Sequence, residues 1–161
     1  ARGANIAKEI KSTRFYNQKT KKLKNFCRVF IGEYNGSFSR MFARDKDTAD
    51  LREELLNVKG VGKETADSII LYAGGRLSFV SDAYTRRFVE RYGIHDEADS
   101  YEKIRSFFME RLPKEVYVYN EFHALIDHHC YLTCKKTPAC KSCAIKRIND
   151  KIYCSLGSKR E

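Results

Sequence analysis

Apolar positions along this 161-residue chain recur mainly at helical spacing. Leu23, Phe26, Cys27 and Phe30 follow the i, i+3, i+4, i+7 rule, which predicts an amphipathic helix from about 18 to 31. Its other face carries Lys21, Lys22, Lys24 and Arg28. Cys27, on the apolar face, is expected to be an ordinary buried thiol. Asp47 or Thr48 can cap a helix running to about Leu56. Ala66, Ile69, Ile70 and Ala73 repeat the helical period and stop at Gly74-Gly75. Thr85, Phe88, Val89 and Tyr92 mark another helix, ended by Gly93. Ile104, Phe107, Phe108 and Leu112 mark the next, closed by Pro113. Val118, Phe122, Leu125, Ile126 and His129 mark the last long one. Leu77 to Val80 is one short extended piece, too little for a sheet. The fold class is all-α. A helical domain is expected over 1–129, with a Cys-rich loop and tail over 130–161.

Composition narrows the class. At 42% hydrophobic residues the chain can pack a core and is not disordered. Trp is absent and Pro occurs twice, which favours helices over a turn-rich β architecture. The longest apolar run, Ile69-Ile70-Leu71-Tyr72-Ala73, falls far short of the ~20 residues of a membrane span. No N-terminal stretch reads as a signal peptide. An intracellular protein is expected (if prokaryotic, in the cytoplasm or nucleoid), and a monomer. The chain opens in mid-helix, so residues upstream are expected. Lys and Arg number 31 against 21 Asp and Glu, a net charge of +10. Seven basic and no acidic residues lie between Lys11 and Arg28. That excess fits a polyanion partner, although a solvated helix face over a core stripe explains the same pattern.

The string Leu55-Leu56-Asn57-Val58-Lys59-Gly60-Val61-Gly62-Lys63-Glu64-Thr65-Ala66 joins two helical patterns through a short turn. Gly60 and Gly62 permit backbone conformations that side chains forbid and let another backbone approach. The turn opens a helix whose N–H groups suit a phosphate, with Lys59 and Lys63 beside them. A plain helix–helix connection would use the same glycines. The whole string, however, resembles the helix–hairpin–helix motif of DNA repair proteins, L-P-G-V-G-x-x-T-A, with Lys59 in place of the Pro. The hairpin, over about 50–74, is thereby expected to bind DNA through Gly60, Val61, Gly62, Lys63 and Thr65.

The resemblance extends further. Phe79-Val80-Ser81-Asp82-Ala83-Tyr84-Thr85-Arg86-Arg87-Phe88-Val89-Glu90-Arg91-Tyr92-Gly93 is similar to the V-D-T-H-x-x-R-V-x-x-R-x-G segment of the endonuclease III family of DNA glycosylases. Phe15-Tyr16-Asn17-Gln18-Lys19 resembles that family's G-x-Y-N-x-K segment. The resemblance implies a helix–hairpin–helix glycosylase fold, a duplex DNA partner with a damaged base, and catalysis by Asp82. As a residue alone, Asp82 reads equally as the N-cap of the following helix. The chemistry asks for a carboxylate: positive charge builds on the sugar as the N-glycosidic bond breaks, and a carboxylate near C1′ stabilises it or directs a water. The base must first leave the stack. Family members carry helices before the point where this chain starts, including a side chain that fills the gap left by the flipped base. No such segment is found here.

Five of the six cysteines fall in the last 32 residues, where a disulfide framework would be spread through a small secreted domain. Cys134-x5-Cys140-x2-Cys143-x10-Cys154 offers four thiolates. Four cysteines alone hold zinc as well as iron–sulfur. The family pattern, C-x6-C-x2-C-x5-C, implies a [4Fe–4S] cluster, with a shortened first gap and a lengthened last one; His129, Thr133 and Pro138 resemble its surroundings. Cys130 competes for the first ligand position. Lys135, Lys136, Lys141, Lys146, Arg147 and Lys151 surround the cysteines and could touch phosphates. His123, His128 and His129 lie on a helix and are given no role.

The family's bifunctional members place a Lys directly before the Thr-Ala of the hairpin, where its amine forms a Schiff base with the sugar. Here Glu64 occupies that position, 18 residues before Asp82, and Lys63 precedes it. One step along a helix turns a side chain by ~100°, so Lys63 does not replace the amine. The resemblance therefore implies a monofunctional glycosylase without lyase activity. Val58 to Glu64 looks like endonuclease III-like 3-methyladenine glycosylases, which points to alkylated purines. The alternative is a non-catalytic DNA-binding module with a metal-stapled loop.

Overall fold

The structure, a computed structural model, describes residues 5–95, 99–145, 147, 148, 151, 152 and 154. Its regular elements are almost all helical: α1 (Ile6–Glu9), α2 (Tyr16–Tyr34), α3 (Phe38–Met41), α4 (Thr48–Asn57), α5 (Lys63–Ser68), α6 (Ala83–Arg91), α7 (Tyr101–Arg111) and α8 (Val116–Leu132). A π-helical turn, Ile69–Ala73, continues α5, and a 3-10 turn, Cys140–Ser142, follows α8. One small antiparallel pair, β1 (Arg147–Ile148) with β2 (Lys151–Ile152), lies in the tail. The all-α class holds. Two compact units divide inside α5, at Ala1–Ala66 and Asp67–Glu161. No helix among the described residues is long and apolar enough to cross a membrane.

In the first unit α2 runs longer than its sequence pattern, because its end is set by backbone chemistry. Asn35 and Gly36 both adopt left-handed φ, +51° and +67°, a common helix stop. α2 packs with α1 and α3, and the Phe30 ring meets that of Phe38 at a tilt, 4.6 Å between centroids. Asp47 caps α4 by accepting from the Ala49 amide at 2.6 Å. Leu51, Leu55 and Val58 are buried behind it.

The apolar stripe of α2 corrects one expectation. Cys27 is exposed, as are Leu23 at 43% and Ile31 at 64%. Helical period fixes which residues share a face. What covers that face is decided by the rest of the molecule, and the first unit leaves much of this one open.

The second unit is organised around the extended segment that leads into α6. Ser78, Phe79, Val80 and Ser81 are all buried. The Phe79 ring stacks on Phe108 of α7 at 4.3 Å and meets Tyr119 of α8 edge-on at 6.0 Å. Leu71, Val89, Ile104, Ile126, Cys130 and Cys134 complete the core. Behind the segment sits a buried carboxylate, Asp67. Ser78 Oγ donates to it at 2.5 Å, Tyr101 OH donates at 2.8 Å, and the Arg105 guanidinium lies 3.2 Å away. A charge so fully removed from water needs such partners.

Phe79→Ala is expected to lower unfolding free energy by about 3–5 kcal/mol, the range for deleting a buried aromatic ring. Cys27→Ser is expected to change it by less than about 0.5 kcal/mol, as at an exposed position. Urea denaturation of the two variants measures both.

Candidate active site and cysteine cluster

In the first unit, α4 ends at Asn57 with Val58 as its C-cap, and the turn Lys59–Gly62 leads into α5. The Val61 amide closes on the Val58 carbonyl at 2.9 Å, and the Ala66 amide on the Gly62 carbonyl at 2.9 Å. Asn25 of α2 donates to the Lys59 carbonyl at 3.2 Å, tying the turn to α2. Gly60, Gly62, Lys63, Glu64 and Thr65 are exposed, and Val61 is half-buried. The arrangement is a helix–hairpin–helix with its turn open to an outside partner.

The two glycines do different work. Gly60 has φ +104°, and a Cβ there would stand 2.7 Å from Lys22 Cγ of α2. Its need for glycine is therefore internal. At Gly62 no atom lies within 4 Å of a built Cβ, and φ is not positive. The fold leaves this position clear. Gly60→Val is expected to cost about 1 kcal/mol or more of stability, because a β-branched residue cannot hold that φ without strain. Gly62→Val is expected to leave thermal unfolding unchanged. Calorimetry of the pair separates internal from external demand for glycine.

In the second unit, Asp82 precedes α6 and caps it: the Thr85 amide donates to Asp82 Oδ1 at 2.8 Å. The burial of Phe79 and Val80 holds the chain in place up to this residue. The carboxylate is 14% exposed, so solvent reaches it without surrounding it. His123 of α8 places Nε2 3.9 Å from Asp82 Oδ1 and 3.7 Å from Asp127 Oδ1. Tyr72, on the π-helical turn, places its hydroxyl 2.5 Å from His123 Nδ1. Burial, then the Asp127 and Asp82 charges, push the Tyr72 phenol up, so it keeps its proton. Sequence reasoning found Asp82 and gave His123 no role. It missed Tyr72 and Asp127, whose spacing along the chain carries no signal of their meeting.

The other end of α6 grips the cysteine segment. Arg87 Nε donates to the Cys134 carbonyl at 2.8 Å and Arg87 Nη2 to the Cys130 carbonyl at 3.2 Å. Arg91 Nη1 donates to the carbonyls of Cys134 and Lys135, at 3.1 and 2.7 Å, and to Cys134 Sγ at 3.0 Å. These guanidinium groups satisfy the Cys130 carbonyl in the last turn of α8 and the carbonyls of Cys134 and Lys135 just after it. Cys134, Cys140, Cys143 and Cys154 line one cavity together with Tyr92, Thr133 and Pro138. The Tyr92 hydroxyl stands 3.9 Å from Cys143 Sγ.

The Cys134 thiol is pulled down to about 5, first by its hydrogen bond with Cys130 and then by Arg91. The shift favours the thiolate, the form that ligates metals. Cys130 is pushed up by the same contact and by burial. Its sulfur lies 3.5 Å from the Tyr84 carbonyl, and it is absent from the residues lining the cavity. The donor set fits a group taking four thiolates. Lys135, Lys136 and Lys141 are exposed beside it, while Lys146 and the side chains of Arg147 and Lys151 lie outside the described residues.

A hairpin open to an outside partner, a carboxylate capping the helix that follows it and a four-cysteine cavity define a helix–hairpin–helix DNA repair protein. The chain belongs to the HhH-GPD superfamily of base excision DNA repair proteins, whose family model matches residues 1–114. It is 50% identical over 139 residues to "Putative DNA repair glycosylase MJ1434" of Methanocaldococcus jannaschii, covering 86% of this chain and 63% of the relative. To endonuclease III of Bacillus subtilis it is 27% identical over 156 residues, covering 97% and 64%. A solved structure of a trapped endonuclease III–DNA covalent intermediate, the estranged-adenine complex, superposes with a TM-score of 0.74 at 27% identity, covering 96% of this chain and 65% of the other. The chain spans a little under two thirds of the length of each of these proteins.

Proposed function

We propose that this chain forms part of a monofunctional DNA glycosylase that hydrolyses the N-glycosidic bond of a damaged base in duplex DNA. The observation that carries the reading is Asp82: a carboxylate fixed at the head of α6, largely shielded from water yet open on one side. Its role is to stabilise the sugar cation at C1′ or to orient and deprotonate the attacking water. The hairpin residues Gly60, Val61, Gly62, Lys63 and Thr65 grip phosphates near the extruded nucleotide. Membership of the base excision superfamily and the likeness to a putative DNA repair glycosylase support the same assignment.

Glu64 supports the monofunctional part. A carboxylate forms no Schiff base, so the abasic strand is left intact. The substrate we propose is an alkylated purine. The Val58–Glu64 string is similar to 3-methyladenine glycosylases of this type, and a ring already carrying positive charge leaves without an amine nucleophile.

For the tail we propose a [4Fe–4S] cluster held by Cys134, Cys140, Cys143 and Cys154, with zinc as the competing metal. The cluster would join the cysteine loop to the helical body and carries no step of base release. The shared cavity and the Cys134 thiolate support the ligand set. Protein purified without oxygen is expected to be brown and to hold about four irons per chain. One zinc in a colourless protein would replace this reading.

Asp82→Asn is expected to abolish base release across a panel of damaged duplexes while retaining duplex affinity. Gly62→Val is expected to weaken that affinity, which should also fall steeply with salt. Borohydride is expected to trap no covalent protein–DNA adduct. An adduct lost in Lys63→Ala would show lyase chemistry. Duplex binding by the wild-type chain without release of any base would indicate the non-catalytic module.

A further inference from the structure

The cluster around His123 has a chemical logic that the reaction as proposed does not use. His123 is buried, and its ring meets Phe79 edge-on at 6.3 Å between centroids. Packing thus fixes the ring plane. Charged and titratable groups face it from three elements: Tyr72 on the π-helical turn, Asp82 at the cap of α6 and Asp127 on α8 itself. Glu121 of α8 acts on Tyr72 from a greater distance. The side-chain ligand atoms of Asp82, His123 and Asp127 all lie within 4.8 Å of one another.

We propose that Tyr72 and His123 form a positioning pair for the Asp82 carboxylate, with the Tyr72 hydroxyl fixing the ring tautomer and His123 Nε2–H separating Asp82 from Asp127. The inference rests on the reading of Asp82 as the catalytic group. Its first step is the short contact at Nδ1. Tyr72 retains its proton and donates it to Nδ1, so the neutral imidazole carries hydrogen at Nε2. That hydrogen faces two carboxylates at 3.9 and 3.7 Å. These distances exceed a hydrogen bond, so in this state the contact is electrostatic.

The second step is charge. Two carboxylates this near each other repel, and the pair then holds a proton more tightly. A proton on Asp82 removes the negative charge that the sugar cation requires. His123 Nε2–H, placed between them, offsets that repulsion. The π-helical turn is what presents Tyr72: its wide backbone bond, Gly74 amide to Ile69 carbonyl at 2.9 Å, marks the residue's own stretch of chain. Such turns recur at functional sites.

The test uses single-turnover base release against pH in the full-length chain, with duplex affinity measured alongside. His123→Leu keeps the volume and removes the donor. Its acidic limb is expected to move up by about one pH unit, in the range a neighbouring charge produces, with affinity retained. Tyr72→Phe is expected to move the limb in the same direction by less. His123→Gln, which retains a donor, is expected to restore most of the wild-type profile. Asp127→Asn combined with His123→Leu is expected to bring the limb back down. A uniform loss of rate at every pH, with no recovery from Asp127→Asn, would overturn the proposal and leave His123 a packing residue. Nitrogen NMR of His123 gives a readout independent of activity: hydrogen on Nε2 is expected, and hydrogen on Nδ1 overturns the tautomer argument. A wild-type chain releasing no base from any duplex would instead overturn the functional reading and the catalytic part of this one with it.

Discussion

The second unit depends on the burial of one aromatic ring. Phe79 lies in an extended segment that pairs with no strand among the described residues, and it is held by α7 through Phe108 and by α8 through Tyr119. Segments without a ladder tend to wander, because their backbone groups find no regular partners. Here the side chain anchors what the backbone does not, and the Asp67, Ser78, Tyr101 and Arg105 network closes the other side. The result is a fixed entry into α6, with Asp82 at the first position where the chain turns helical. The same ring also touches His123, so the core that sets the carboxylate sets its neighbour too.

α6 is a short helix with a job at each end. Its N-terminus receives the Asp82 cap, which satisfies an amide that a helix leaves unbonded. From its later turns, Arg87 and Arg91 reach the Cys134 carbonyl just beyond α8, and Arg87 also reaches that of Cys130 in the last turn of α8. Planar guanidinium groups suit this task, since each offers several donors in a fixed fork. The cysteine segment is thereby tied to the element that carries Asp82. Arg91 also contacts the Cys134 sulfur, which helps hold the thiolate form that a metal requires.

The hairpin shows how identical residue types answer to different constraints. Gly60 is demanded by the passage of α2 and by a positive φ. Gly62 meets nothing inside the chain, so its small size is available to a partner. The sequence lists both as glycine in a turn, and only the surrounding atoms divide them.

Helix existence was legible because apolar period and cap chemistry are local: Asp47, Asp82 and the glycines after Tyr34 and Ala73 act on backbone within a few residues. The family was legible because the hairpin string and the Asp82 segment are contiguous. The four-cysteine pattern was legible as a set, and the cavity separates its members from Cys130, which spacing had left in competition. What the sequence could not supply was anything that depends on which faces meet. Cys27 shares the periodicity of a core residue and is exposed, since period does not say what lies opposite. Tyr72, Asp82, His123 and Asp127 span 55 residues and three elements, and no local pattern joins them. Their meeting follows from the packing of α6 and the π-helical turn against α8. Local sequence determined the helices and the motif; the long-range packing of side chains decided the company that Asp82 keeps.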